Sequence, residues 1–182
     1  MEHSGEIWQE LDYDGTKLGG IIPAEFDENK IRLMSGATVM LYRYKDGEVE
    51  YLFQHRAKGL RANPDTWDTS AGGHVNLGES RTEAMLREAH EEIGVKIDAK
   101  NLELAAIYRR WKVMVTLYFY DWKDRKDEFY FDDKEVEEVK WVKYSEFEKF
   151  LPKLKKLARE DTVFMHYLEE WNGKIKEKYE DL

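Results

Sequence analysis

The stretch GGHVNLGESRTEAMLREAHEEIGV, Gly72 to Val95, decides the reading of this chain. Ser80 stands three residues before Glu83, the spacing at which the two side chains satisfy each other's backbone N–H groups, and helical periodicity runs on until Gly94 stops it. This predicts a helix from Ser80 to Ile93. At 100° per residue, Arg87, Glu91, Glu88 and Glu92 fall at about 0°, 40°, 100° and 140° around its axis. Met85, Leu86, Ala89 and Ile93 fall between about 160° and 300°, so the apolar face packs on a sheet and the charged face turns to solvent or a ligand. Three carboxylates within roughly one turn repel one another, a cost that a cation placed among them removes. Oxygen ligation without cysteine suits hard cations such as Mg²⁺ or Mn²⁺. Taken alone, the same face also fits a solvated acidic surface with Arg87 paired to Glu91. The preceding glycines, Gly72-Gly73 and Gly78, bracket a short loop where backbone can approach a metal or leave room for a phosphate.

Outward from this stretch, strands and helices mix along one unit. Ile7 to Leu11 and Leu18 to Ile22 flank Asp14-Gly15 and predict a hairpin. Ala37 to Tyr44 and Glu50 to His55 predict a second, turning at Lys45-Asp46-Gly47-Glu48. Lys58 to Asp68 reads as a loop. Leu102 to Arg110 and Lys112 to Trp122 read as strands, the latter alternating Val113, Val115, Leu117 and Phe119. Glu138 to Val142 predicts a short strand, followed by Ser145 as an N-cap with Glu148 three residues on. Phe164, Leu168, Trp171 and Ile175 recur at helical spacing on a charged background, which predicts an amphipathic C-terminal helix. One domain is therefore expected over 1–182, with a hairpin extension at 1–30 and a helical segment at 153–182.

Composition narrows the function. Lys plus Arg number 29 and Asp plus Glu 38, a net charge of 29 − 38 = −9, which disfavours long nucleic acids as partners. With no cysteine, thiolate nucleophiles, disulfides and Cys-ligated metals are excluded. The longest strongly apolar run, Val113 to Tyr120, is far short of the ~20 residues that span a bilayer, and Met1 to Glu10 does not read as a signal peptide. These features predict a cytoplasmic protein without membrane attachment.

Gly73, Glu79, Arg87, Glu88, Glu91, Glu92, Gly94 and Val95 together resemble the Nudix box: Gly, five residues, Glu, seven residues, Arg-Glu, an aliphatic, any residue, Glu-Glu, any residue, Gly, an aliphatic. All eight fixed positions are filled, and only Ala89 is smaller than the usual aliphatic. The resemblance implies an α/β fold, the Nudix α/β/α sandwich around a mixed β-sheet. It implies that Glu88 and Glu92 ligate the divalent cation, with Glu91 a further ligand and the Gly73 carbonyl another. Arg87 would orient the glutamates, Glu79 would support them from behind, and Glu91 is the first candidate for general base, ahead of Glu135 and Glu137. The implied activity is hydrolysis of a diphosphate linkage, in which a cation neutralises the phosphates and lowers the pKa of a bound water.

The segment Trp67 to His74, with Asn76 to Ser80 and the stretch Asp12 to Gly19, also resembles the isopentenyl-diphosphate isomerase branch of the same superfamily. That isomerase relies on a cysteine whose matching position here is Gly72, so the chain reads as an isomerase-like scaffold with a hydrolase site. His74 corresponds to an isomerase metal ligand, but beside a glycine turn it is read as a structural or substrate contact. Gln54-His55-Arg56 with Lys58 and Arg61 forms a basic cluster suited to a diphosphate, Arg56 and Lys58 being the candidate substrate residues. Arg109, Arg110 and Lys112 around Trp111 suit a base or sugar, and an ordinary hairpin tip equally. Trp67 reads as a packing residue. The expected substrate is a small nucleoside diphosphate linked to a further group, with no nucleic-acid polymer involved. Isomerisation and non-catalytic nucleotide sensing are the alternatives, and a homodimer through the hairpin or the C-terminal helix is compatible with the sequence.

Overall fold

The structure, a computed structural model, describes residues 5–23, 27, 29–123, 125–131 and 134–180. Its strands are β1 (Trp8–Leu11), β2 (Lys17–Ile21), β3 (Leu33–Lys45), β4 (Glu48–Arg56), β5 (Trp67–Asp68), β6 (Ala71–His74), β7 (Leu102–Arg110), β8 (Val113–Asp121) and β9 (Val136–Lys143). The helices are α1 (Arg81–Ile93), α2 (Phe147–Phe150), α3 (Lys156–Arg159) and α4 (Thr162–Glu180). Among the described residues the nine strands form one mixed sheet.

The long strand β3 organises that sheet. It runs parallel to β8 from Met34↔Val113 to Tyr42↔Asp121, and antiparallel to β6, to β4 and, at its start, to β1. A strand flanked on both sides and covered on both faces is predominantly apolar, and Leu33 to Tyr42, with Ser35 and Thr38 its polar residues, is buried without interruption. Alternation then divides its side chains. Ala37, Val39 and Leu41 pack with Met85, Ala89 and Ile93 of α1, whereas Met40 and Tyr42 pack with Phe164, Leu168, Trp171 and Ile175 of α4. Phe119 of β8 stacks on Trp171 with ring centroids 4.5 Å apart. The result is the expected sandwich, with helices on both faces of a mixed sheet.

Ser80 and Glu83 form the full capping box at the start of α1, and Gly94 ends it with a left-handed φ of 70°. Asp46 and Gly47 both take positive φ in the β3–β4 turn, the geometry a two-residue hairpin favours. Gly72 and Gly73 lie within β6, hydrogen-bonded to β3, at the start of the short loop that they and Gly78 bracket. Two expectations change. The segment read as a loop ends in the two-residue strand β5, held by Gln54↔Asp68 and His55↔Trp67. Ser145 caps nothing: its N–H donates to Glu48 at 2.8 Å, and the turn before α2 has no side-chain cap. The N-terminal hairpin forms as β1 and β2, and it is tied to the segment between β6 and α1 by the Gln9 N–H, which donates to the Val75 carbonyl, and by the Leu77 N–H, which donates to the Ile7 carbonyl.

Candidate active site

The later turns of α1, Glu79 just before it and the end of strand β6 enclose one guanidinium. Arg87 donates to both oxygens of Glu79 at 3.0 Å each, to Glu88 at 2.8 Å, to Glu91 at 3.0 Å and to the His74 carbonyl at 2.9 Å. Glu79 is itself anchored by the Asn76 N–H at 2.9 Å. The fork of an arginine suits several carboxylates at once, which a lysine could not engage together. Burial works against the Arg87 charge, but Glu79, Glu88 and Glu91 outweigh it and hold the guanidinium above its ordinary range.

Glu92 departs from the helical-wheel reading. It is 4% exposed rather than on an open charged face, because β4 and β6 close over that side of the helix. Its carboxylate accepts from the Gly72 N–H at 2.8 Å and from Gln54 Nε2 at 3.1 Å. Burial pushes its pKa well up, the neighbouring Glu88 adds to this, and the Gly72 N–H and the Arg56 charge oppose it. Glu88 is likewise pushed up, to about 7, by burial, against the pull of Arg87. Glu91 stands more open, its side chain 48% exposed and paired with Arg87.

Gly73 lies directly against Glu88, so that a Cβ there would sit 2.8 Å from Glu88 Oε2 and closer still to the other carboxylate atoms. Gly72 is as tightly enclosed, since a Cβ would meet Thr38 Oγ1 at 2.8 Å and the Ala37 carbonyl at 2.9 Å. Arg56 reaches the Ala62 carbonyl at 3.3 Å while its buried Nε has no hydrogen-bond partner. The Lys58 N–H donates to Glu137 at 3.1 Å.

The expected basic cluster is split by strand alternation. Gln54 reaches Glu92, whereas the His55 ring lies against Trp67 at 4.9 Å and near Asp65 and Glu137, at 3.2 and 3.6 Å. Trp67 packs against Phe150, as its packing reading expects. His74 stacks face to face on Trp8 of β1, centroids 3.9 Å apart, with Trp8 Nε1 donating to Glu6 at 2.9 Å. At the β7–β8 turn Arg110 turns to Asp161, Lys112 to the Ile31 carbonyl and Arg109 to the Trp111 carbonyl, so much of the cationic tip is used internally.

Among the described residues no three His, Asp or Glu side chains already converge as a cation cage, because Arg87 stands between Glu88 and Glu91. The donor set nevertheless fits a divalent cation. Glu79, Glu88, Glu91 and Glu92 crowd around Arg87 and Arg56, leaving negative charge in excess where burial makes it expensive. Carboxylate oxygens suit Mg²⁺ or Mn²⁺.

Sequence reasoning singled out Arg87 and its glutamates, but not the role of Gln54, or of Asp68, which is buried and paired with Lys155 beside them. Only pairing across strands far apart in the chain brings these residues to α1.

Residues 32–168, 137 of the 182, match the NUDIX domain, and the chain belongs to the Nudix family. It is 47% identical over 92 residues to isopentenyl-diphosphate Delta-isomerase of Leifsonia xyli subsp. xyli, covering 50% of this chain and 48% of that one. To Nudix hydrolase 3 of Arabidopsis thaliana it is 26% identical over 130 residues, covering 65% of this chain and 16% of the other. The chain thus spans about half, or less, of the length of these curated relatives. The fold is shared with the crystal structure of a Nudix hydrolase from M. smegmatis, RenU, at a TM-score of 0.60 and 19% identity over 92% of this chain and 95% of that one.

Proposed function

We propose that this chain hydrolyses the diphosphate linkage of a small nucleoside-diphosphate-X or related diphosphate compound, with Mg²⁺ or Mn²⁺ as cofactor. The observation that carries the reading is the pair of neighbouring carboxylates Glu88 and Glu92, buried against β6 and in need of positive charge beyond Arg87. Glu88, Glu92, Glu91 and the Gly73 carbonyl would hold the cation, which when bound neutralises the phosphates and activates water.

The chain's own residues supply the rest. Arg87 fixes Glu88 and Glu91 in place, and Glu79 fixes Arg87. Glu91, the most open of the glutamates, accepts the proton of the attacking water. Arg56, with its Nε unpartnered, and Lys58 bind the phosphoryl oxygens and steady the leaving group. His74, held flat on Trp8, contacts the substrate at the edge of the site.

A second reading, isomerisation of an isoprenoid diphosphate, draws on the 47% identity to the Leifsonia protein. Against it, the sequence holds no cysteine, and the position that matches the isomerase acid is Gly72, where the fold leaves no space for a side chain.

One screen separates these readings. Purified protein is offered a panel of diphosphate compounds, isopentenyl diphosphate included, with Mg²⁺, Mn²⁺ or EDTA, and phosphate-bearing products are followed. Metal-dependent cleavage that Glu92→Gln abolishes is the expected result. Interconversion of isopentenyl diphosphate without phosphate release would establish the isomerase instead. Tight binding of a panel member without turnover would make the domain a sensor.

A further inference from the structure

The Glu92 carboxylate is held from one side. Both of its hydrogen bonds, from the Gly72 N–H at 2.8 Å and Gln54 Nε2 at 3.1 Å, end on the same oxygen, Oε2, and among the described residues none reaches Oε1. Gln54 is 1% exposed, and its own Oε1 is buried without a partner. A buried amide that satisfies only one end is oriented by that end, because turning it over would set its carbonyl against the carboxylate. The carboxylate across the strand pair is already satisfied. Asp68, opposite Gln54 on β5, is paired with Lys155 and accepts from the Thr69 N–H at 2.8 Å.

We propose that Gln54 is a positioning residue for the cation site: it clamps Glu92 through Oε2 and so presents Oε1 to the divalent ion. The inference rests on the metal-dependent reading above. Glutamine fits this task for a chemical reason. A lysine at 54 would neutralise Glu92 and compete with the ion, and a glutamate would add repulsion. An amide donates a hydrogen bond while leaving the whole negative charge for the cation.

The test is Mn²⁺ binding to the full chain, followed by the electron paramagnetic resonance of free Mn²⁺, with no substrate present. Gln54→Met keeps length and volume but cannot donate. Its Mn²⁺ dissociation constant is expected to rise roughly tenfold or more. In a Glu92→Gln background the same change should cost nothing further, since the group it acts through is gone. At saturating Mn²⁺ the KM for substrate should match wild type. Should Gln54→Met melt below the assay temperature, Gln54→Asn replaces it, with the same loss expected because the shorter amide no longer reaches Glu92. Wild-type Mn²⁺ affinity in a folded variant, or an equal loss in the Glu92→Gln background, would overturn the proposal while leaving the metal reading intact. A wild-type chain that binds no Mn²⁺ would overturn both.

Discussion

Gly73 and Glu88 share one van der Waals contact between strand and helix: the glycine's missing side chain is the space that the carboxylate fills. Gly73→Ala should therefore act on Glu88 more than on the fold. We expect at least a tenfold loss of metal-dependent turnover, with a melting temperature within a few degrees of wild type, because the carboxylate can swing aside while the strand stays paired with β3. Comparing turnover with thermal unfolding in EDTA separates the two effects.

Arg87 binds four groups at once, so its loss strands more than its own charge. Arg87→Ala leaves Glu79 and Glu88, both mostly buried, without their cation. Urea unfolding should show a loss of about 2–4 kcal/mol. Arg87→Lys should recover part of that stability but little activity, since an ammonium cannot grip both Glu79 oxygens and still reach Glu88 and Glu91.

The raised pKa values of Glu88 and Glu92 make the metal-free protein less stable at high pH. Between the ordinary value of 4.5 and about 7 the folded chain retains a proton at Glu88 that the unfolded chain releases, and the raised Glu92 acts in the same direction. The stabilisation is complete below pH 4.5 and fades as pH rises through the folded value. Melting in EDTA, corrected with a Glu88→Gln, Glu92→Gln control, should accordingly show these two groups lowering the transition from pH 5 to pH 8. With millimolar Mn²⁺ that trend should reverse, because the ion competes with protons for the same oxygens.

Asp161 joins the far helix to the edge of the sheet. It accepts from the Val163 and Phe164 N–H groups at 3.1 and 3.0 Å at the start of α4, and from Tyr108 Oη at 2.7 Å and Arg110 at 3.3 Å. Asp161→Ala should cost about 2 kcal/mol, near the upper end for a helix cap, because a half-buried tyrosine hydroxyl loses its partner with it. Denaturant unfolding checks the size, and unchanged Mn²⁺ affinity would show that the effect stays outside the site.

Much of this architecture was legible because local signals agreed. Ser80, Glu83 and Gly94 bound the helix α1, and Phe164, Leu168, Trp171 and Ile175 all turn inward as their spacing predicts. Glu92 was harder to place. Its predicted angle of about 140° lies beside the apolar arc, and whether such a border residue is buried depends on what the sheet sets against it. Here Gln54, 38 residues earlier, closes that side. Likewise β5 is two residues long and carries no period of its own, so only its pairing with β4 reveals it. The charged motif was thus visible in the chain, and the partners that orient it arose from tertiary pairing.

The parallel ladder between β3 and β8 has a kinetic consequence. Its first pair, Met34 with Val113, joins positions 113 − 34 = 79 apart, whereas β3, β4, β6 and α1, which carry Glu92 and its two hydrogen-bond donors, lie within residues 33–93. Closing the longer loop costs more chain entropy before any contact rewards it. The part of the molecule that shapes the acidic site can therefore assemble from nearer neighbours, while the sheet waits for β8 to arrive, exposing the inner edge of β3 in the meantime. During synthesis that edge is the segment most open to mispairing, until the ribosome has released the chain beyond Asp121.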